Sequence, residues 1–108
     1  MLNFILLLVN IDGLRIITKY DDNFRSAFWL YTIFVERKYD FIEYMKEKGV
    51  TCSQVHQRND IHSCFREFQG KLGLLDDFER GMVCLPVGWW LEVDDICKIC
   101  NWIKEFFE

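Results

Sequence analysis

The nine-residue run Ala27-Phe28-Trp29-Leu30-Tyr31-Thr32-Ile33-Phe34-Val35 constrains the fold more than any other stretch of the chain. β-Branched and aromatic side chains suit a pleated backbone, and here both alternating faces are apolar. A strand of that kind must be covered on both sides, which puts it at the centre of a sheet. Material for the surrounding core is plentiful, because 51% of the 108 residues are hydrophobic and the chain carries 10 Phe, 4 Trp and 4 Tyr. At this length the chain forms one domain, spanning residues 1–108, and buries roughly two-thirds of the surface its unfolded form exposes. It needs neither metal nor disulfide to fold. The apolar share exceeds the about 45–50% of ordinary domains even before glycine is counted, so part of the surface is expected to meet a partner.

Charge excludes several classes of function. Against 13 Lys and Arg stand 17 Asp and Glu, a net charge of −4, with the basic residues scattered. The electrostatic footprint of a nucleic-acid or anionic-membrane binder is absent. The apolar stretch from Phe4 to Val9 falls far short of the roughly 20 residues of a membrane span, and it lacks the basic leader and cleavage site of a signal peptide. A cytoplasmic location is expected. The odd cysteine count, five, reads as reduced thiols in a chain able to build its own core.

Other elements follow from punctuation and periodicity. Leu2 to Val9 is apolar all round and fits a buried helix or a strand. A turn at Asn10-Ile11-Asp12-Gly13 leads to a short strand, Leu14 to Thr18, and a polar loop at Asp21-Asp22-Asn23. Asp40 with Glu43 forms a capping-box pattern for a helix striped by Phe41, Ile42 and Met45, which Gly49 ends. Val50 to Val55 reads as a strand. Ile61, Cys64, Phe65 and Phe68 share one helical face that Asn59 or Asp60 could cap. A short helix, Leu74 to Arg80, closed by Gly81, precedes a strand at Met82 to Leu85. Val93, Ile96, Ile99, Cys100, Ile103 and Phe107 define a C-terminal amphipathic helix. This order predicts an α+β domain, a small mostly antiparallel sheet of three to four strands packed with helices.

Three segments carry candidate chemistry. In Gln54-Val55-His56-Gln57-Arg58-Asn59-Asp60, His56 and Arg58 are expected between a strand end and a helix start, where free N–H groups and the helix dipole favour an anion. Arg58 would add a planar fork and His56 a proton-bearing ring. Spacing alone favours the plainer arrangement, in which Arg58 pairs with Asp60 and His56 ends the strand. Cys97-Lys98-Ile99-Cys100 has C-x-x-C spacing, yet it lies in mid-helix without a second ligand pair, so buried inert thiols fit better than zinc or redox chemistry. No metal site is expected. In Pro86-Val87-Gly88-Trp89-Trp90, two adjacent rings cannot both face the core of an extended chain; one covers a cleft or interface, or the pair plugs a corner.

The aromatic strand, the Gly49-Val50 exit, Gln54 to Asp60 and Cys84-Leu85-Pro86-Val87-Gly88-Trp89-Trp90 occur in an order that resembles the C-terminal small domain of the DegT/DnrJ/EryC1/StrS aminotransferases. The resemblance runs from about Gly13 to Phe107. It implies a part of a pyridoxal-phosphate enzyme that aminates nucleotide-linked sugars, with His56, Arg58 and Asn59 touching the substrate and Trp29, Trp89 and Trp90 at a cleft or interface. In such enzymes the Schiff-base lysine lies in a large N-terminal domain that nothing in this chain matches. No catalytic residue is therefore assigned, and pyridoxal phosphate is not expected to bind this chain alone. The implied partners are the large cofactor-binding domain or a second subunit of a dimer, and a nucleotide sugar in the complete enzyme. Two departures stand out: Glu92 where a hydroxyl cap is usual, and the strongly apolar Leu6-Leu7-Leu8. The competing reading is a non-catalytic interaction or self-association module.

Overall fold

A computed structural model describes residues 7–17, 23 and 26–108. Three antiparallel strands, β1 (Leu14–Ile16), β2 (Tyr31–Val35) and β3 (Met82–Leu85), lie in that order across one sheet. Leu14 pairs with Val35 on one side of β2, and Tyr31 pairs with Leu85 on the other. The aromatic run is thus central, as its two apolar faces require. Tyr31, Ile33 and Val35 enter the main core with Phe41, Met45, Ile96, Ile99 and Ile103. Phe34 turns to the opposite face with Met82 and Cys84, where its ring meets Phe78 edge-on at 4.9 Å. Helices α1 (Lys38–Glu47) and α3 (Val93–Phe107) supply the main core, and α2 (Gly73–Gly81) lies beside β2 on the smaller side.

Several sequence expectations are corrected. The strand is five residues long, not nine, because Phe28 takes a left-handed backbone (φ 48) that breaks the pleat ahead of Tyr31. The strand expected at Val50 to Val55 reduces to a single bridge between Ser53 and Cys84, since its polar alternate residues have no second face to bury. Helix α1 starts two residues before Asp40, after Arg37 in a left-handed conformation (φ 54), so Asp40 and Glu43 form no capping box. Asp40 serves instead as a first-turn acid. The amphipathic helix expected over Ile61 to Phe68 is two short 3₁₀ segments, Asn59–Ile61 and Ser63–Phe68, with no buried residue. Its apolar stripe joins neither core cluster among the described residues, and tertiary packing supplies most helical stability.

Other expectations hold. Gly49 leaves α1 at φ +86, α2 ends at Gly81 and β3 covers Met82–Leu85. At the start of α3 the Glu92 backbone N–H donates to Asp95 Oδ2 at 3.0 Å, so the missing hydroxyl cap is offset by a reciprocal carboxylate. Leu7 and Leu8 are helical and Leu8 is buried in the main core. The remainder of that first segment (2–6), Thr18, Asp21 and Asp22 lie outside the described residues.

Candidate functional site

Ser53 and Cys84 exchange two backbone hydrogen bonds, of 3.3 and 2.8 Å, and the chain then leaves the sheet. Gln54, His56, Gln57 and Arg58, with Thr32 of β2 and Phe78 and Glu79 of α2, line a cleft of about 330 Å³. Its walls are amide, hydroxyl, imidazole and apolar groups, with one guanidinium and one carboxylate. His56 and Arg58 stand at neither a strand end nor the start of a long helix, because residues 50–55 form no strand and the 3₁₀ turn that follows has three residues. The anion site expected from a helix dipole is therefore not built.

Arg58 is instead committed to acids. Its Nε and Nη2 donate to the two carboxylate oxygens of Asp60 at 2.5 and 2.7 Å, a bidentate fork. Nη1 donates to Asp76, and Glu79 Oε2 lies 3.6 Å away. The Arg58 side chain is nearly buried by this ring of carboxylates. The hydrogen bond from Arg58 holds the Asp60 carboxyl below its usual range, and the same bond raises the guanidinium. Three acids around one cation leave local negative charge, which would repel phosphate. Asp60 as a partner was legible from spacing; Asp76 and Glu79 were not, since they arrive from α2.

Lys38 lies beneath the loop and was missed. The residue is 5% exposed, and its ammonium donates to Gln54 Oε1 at 2.5 Å and to the Glu79 carbonyl at 2.8 Å. Burial lowers its pKa, partly offset by the Glu79 charge. The signal was in the helix period: residues 38, 41 and 45 fall on one face, and Phe41 and Met45 are core. Gln54 Nε2 in turn donates to the His56 carbonyl at 3.2 Å.

His56 is exposed, and its ring meets Trp29 edge-on at 5.6 Å. Trp29 is 74% exposed, so the two rings form one accessible aromatic edge beside the cleft. Asn59 is exposed and begins the 3₁₀ turn, its carbonyl accepting from the His62 N–H. Trp89 and Trp90 stand apart from this cleft. Trp89 is 94% exposed. The Trp90 ring folds over Gly88, where an added Cβ would come within 2.2 Å of it, and with Trp102 it helps line an open cleft of about 460 Å³ beside the exit of α1.

A second exposed apolar series runs through Ile61, Phe65, Phe68, Leu72, Leu74 and Phe78. Six such residues within 18 positions are more than scattered surface apolarity accounts for. Of the C-x-x-C pair, Cys97 is half-buried and Cys100 buried, with burial pushing the Cys100 thiol up to about 11. Among the described residues no cluster of three or more His, Cys, Asp or Glu could hold a metal ion, and no helix is long and apolar enough to cross a membrane.

No protein-family model and no curated protein matches the chain. Solved structures do. A sugar aminotransferase from Micromonospora echinospora superposes with a TM-score of 0.87 at 34% identity, over 94% of this chain and 27% of that one. The protein AtS13 from Actinomadura melliaura gives 0.86 at 29% identity, with the same two coverages. A DegT DnrJ EryC1 StrS aminotransferase from Brucella abortus shares the fold, with a TM-score of 0.77 at 18% identity, over 89% of this chain and 26% of its own. The chain is similar to a portion of sugar aminotransferases and spans about a quarter of their length.

Proposed function

We propose that this chain serves as the small, C-terminal domain of a pyridoxal-phosphate-dependent aminotransferase of nucleotide-linked sugars, closing over a cleft shared with a large domain. The observation that carries the reading is the 34% identity to a sugar aminotransferase across 94% of the chain, confined to 27% of that enzyme. The role is to orient substrate and exclude water while the chemistry proceeds elsewhere. His56 and Trp29, both accessible at the rim, contact the sugar; Asn59 lies at the outer end of the same loop. Arg58 shapes the loop through its carboxylates and offers one remaining Nη2 N–H. A sugar hydroxyl suits this surface better than a phosphate, because the acids have already neutralised the guanidinium.

The residues described here do not fit pyridoxal phosphate. Arg58 is taken by three carboxylates and the Lys38 amine by Gln54 and Glu79, which leaves the cleft without a free cation for the phosphate or a free amine for the aldehyde. No step is routed through the cofactor on this chain. The exposed apolar series from Ile61 to Phe78 provides a face for the large domain or a second subunit.

The test is complementation in trans. Coexpressed with the large-domain portion of a sugar aminotransferase, the chain should restore amination of a keto sugar, and the isolated chain mixed with pyridoxal phosphate should develop no stable aldimine band beside that of the free cofactor. A stable lysine adduct on the isolated chain would contradict the assigned division of labour. A second reading, self-association through exposed apolar side chains, draws on the exposure of Phe68, Leu74 and Trp89; a clean monomer in sedimentation at high concentration would count against it.

A further inference from the structure

An ammonium buried without a compensating partner is costly. The two hydrogen bonds that Lys38 makes among the described residues both go to uncharged oxygens, the Gln54 side-chain amide and the Glu79 carbonyl. An ammonium only donates. Gln54 must therefore present its oxygen to Lys38, and the amide cannot flip without placing two donors against a cation. That choice turns Nε2 outward, onto the His56 carbonyl at 3.2 Å. At the far end of the segment, Arg58 reaches the Glu79 carboxylate at 3.6 Å. One α2 residue thus takes Lys38 on its carbonyl and Arg58 on its side chain, and the stretch from Gln54 to Arg58 is fastened at both ends.

We propose that Lys38 is a positioning residue for the His56 loop: it fixes the orientation of the Gln54 amide, which holds the His56 backbone where its ring meets Trp29 at the rim of the cleft. The proposal rests on reading that cleft as the substrate-contacting surface. Lys38 itself does not line the cleft. It acts through Gln54, and among the described residues the Ser53 bridge anchors the backbone at the start of the loop. Packing alone would make any apolar side chain of similar length an adequate substitute for Lys38. The proposal denies this, because methionine cannot orient an amide.

The experiment measures backbone order parameters of residues 54–58 by nuclear relaxation in the isolated chain, together with the Tm. Lys38→Met should drop those order parameters from the rigid range, about 0.85, to below about 0.6, and should remove the shift that the Trp29 ring imposes on the His56 ring protons. Gln54→Glu keeps a partner for Lys38 but puts a second acceptor against the His56 carbonyl; it should loosen the same residues while the Tm stays at or above that of the parent. If Lys38→Met fails to fold, Gln54→Glu still decides the matter. Retained loop order in either folded variant overturns the assignment, as does a loss of order spread equally over β2 and β3. Nucleotide-sugar binding is scored separately, with the large-domain portion present: variants that loosen the loop beside a parent complex that never binds sugar would sink the substrate reading and leave the positioning role intact.

Discussion

Arg58 faces Asp60, Asp76 and Glu79, so removing its charge leaves three neighbouring carboxylates without the guanidinium that joins them. Arg58→Met should lower the Tm at pH 7, and the deficit should depend on pH in a definite direction. Because Asp60 is held below its ordinary 3.8 in the folded chain, its contribution is full above that value and is lost as pH falls through the depressed one. The Tm gap between variant and parent, followed by thermal melts, should therefore be widest near neutrality and should shrink only as pH falls below the ordinary 3.8. The thiols make a second residue-scale prediction. Burial pushes Cys52 up to about 12 and Cys100 up to about 11, whereas Cys64 is exposed. At pH 8 an aromatic disulfide reagent should label Cys64 first, Cys97 more slowly, and Cys52, Cys84 and Cys100 only on unfolding. At this scale the sequence announces pairs two residues apart, such as Arg58 and Asp60. It cannot announce that Asp76 and Glu79, placed on α2, converge on the same guanidinium.

Elements whose pattern matched their packing were legible, and those whose pattern had no partner were not. Helix α3 puts Ile96, Ile99, Cys100 and Ile103 on one face against the sheet, so periodicity and burial agree. The segment from Ile61 to Phe68 has an equally good helical period, but its apolar face joins neither core cluster among the described residues and the backbone settles into 3₁₀ turns. Strand β2 was overextended because composition does not report the left-handed Phe28. The start of α1 was shifted for the same kind of reason, since Arg37 takes a backbone that spacing rules assign to glycine or asparagine. Gly49 is the case where the rule holds, and it yields a clean expectation. An added Cβ would touch nothing within 4 Å, so the cost of Gly49→Ala is conformational alone. It should destabilise the chain by about 1 kcal/mol, measured by urea unfolding, with an unchanged m-value.

The whole molecule should be most sensitive to alkali. Burial raises Tyr31 and Cys52 to about 12 and Cys100 to about 11, from 10.0 for the phenol and 9.0 for the thiols. Between those values the unfolded chain has shed protons that the folded chain still holds, so stability is full below pH 9 and falls as pH rises toward 11. Lys38 works in the opposite sense, its lowered pKa letting the folded state lose a proton first, but it is one group against three. Denaturant midpoints should be level up to pH 9 and decline above it; a rise would refute the sign. The same molecule exposes two sets of large apolar side chains, Ile61 to Phe78 and the Trp89-Trp90 turn, and what it does with them depends on its sheet. Among the described residues β1 is three residues long and Ser53 occupies part of the outer side of β3. Neither border offers a long row of unpaired amides and carbonyls for another copy to extend. Crowding of this chain should therefore yield side-chain contacts that come apart on dilution rather than strand-by-strand growth into fibrils.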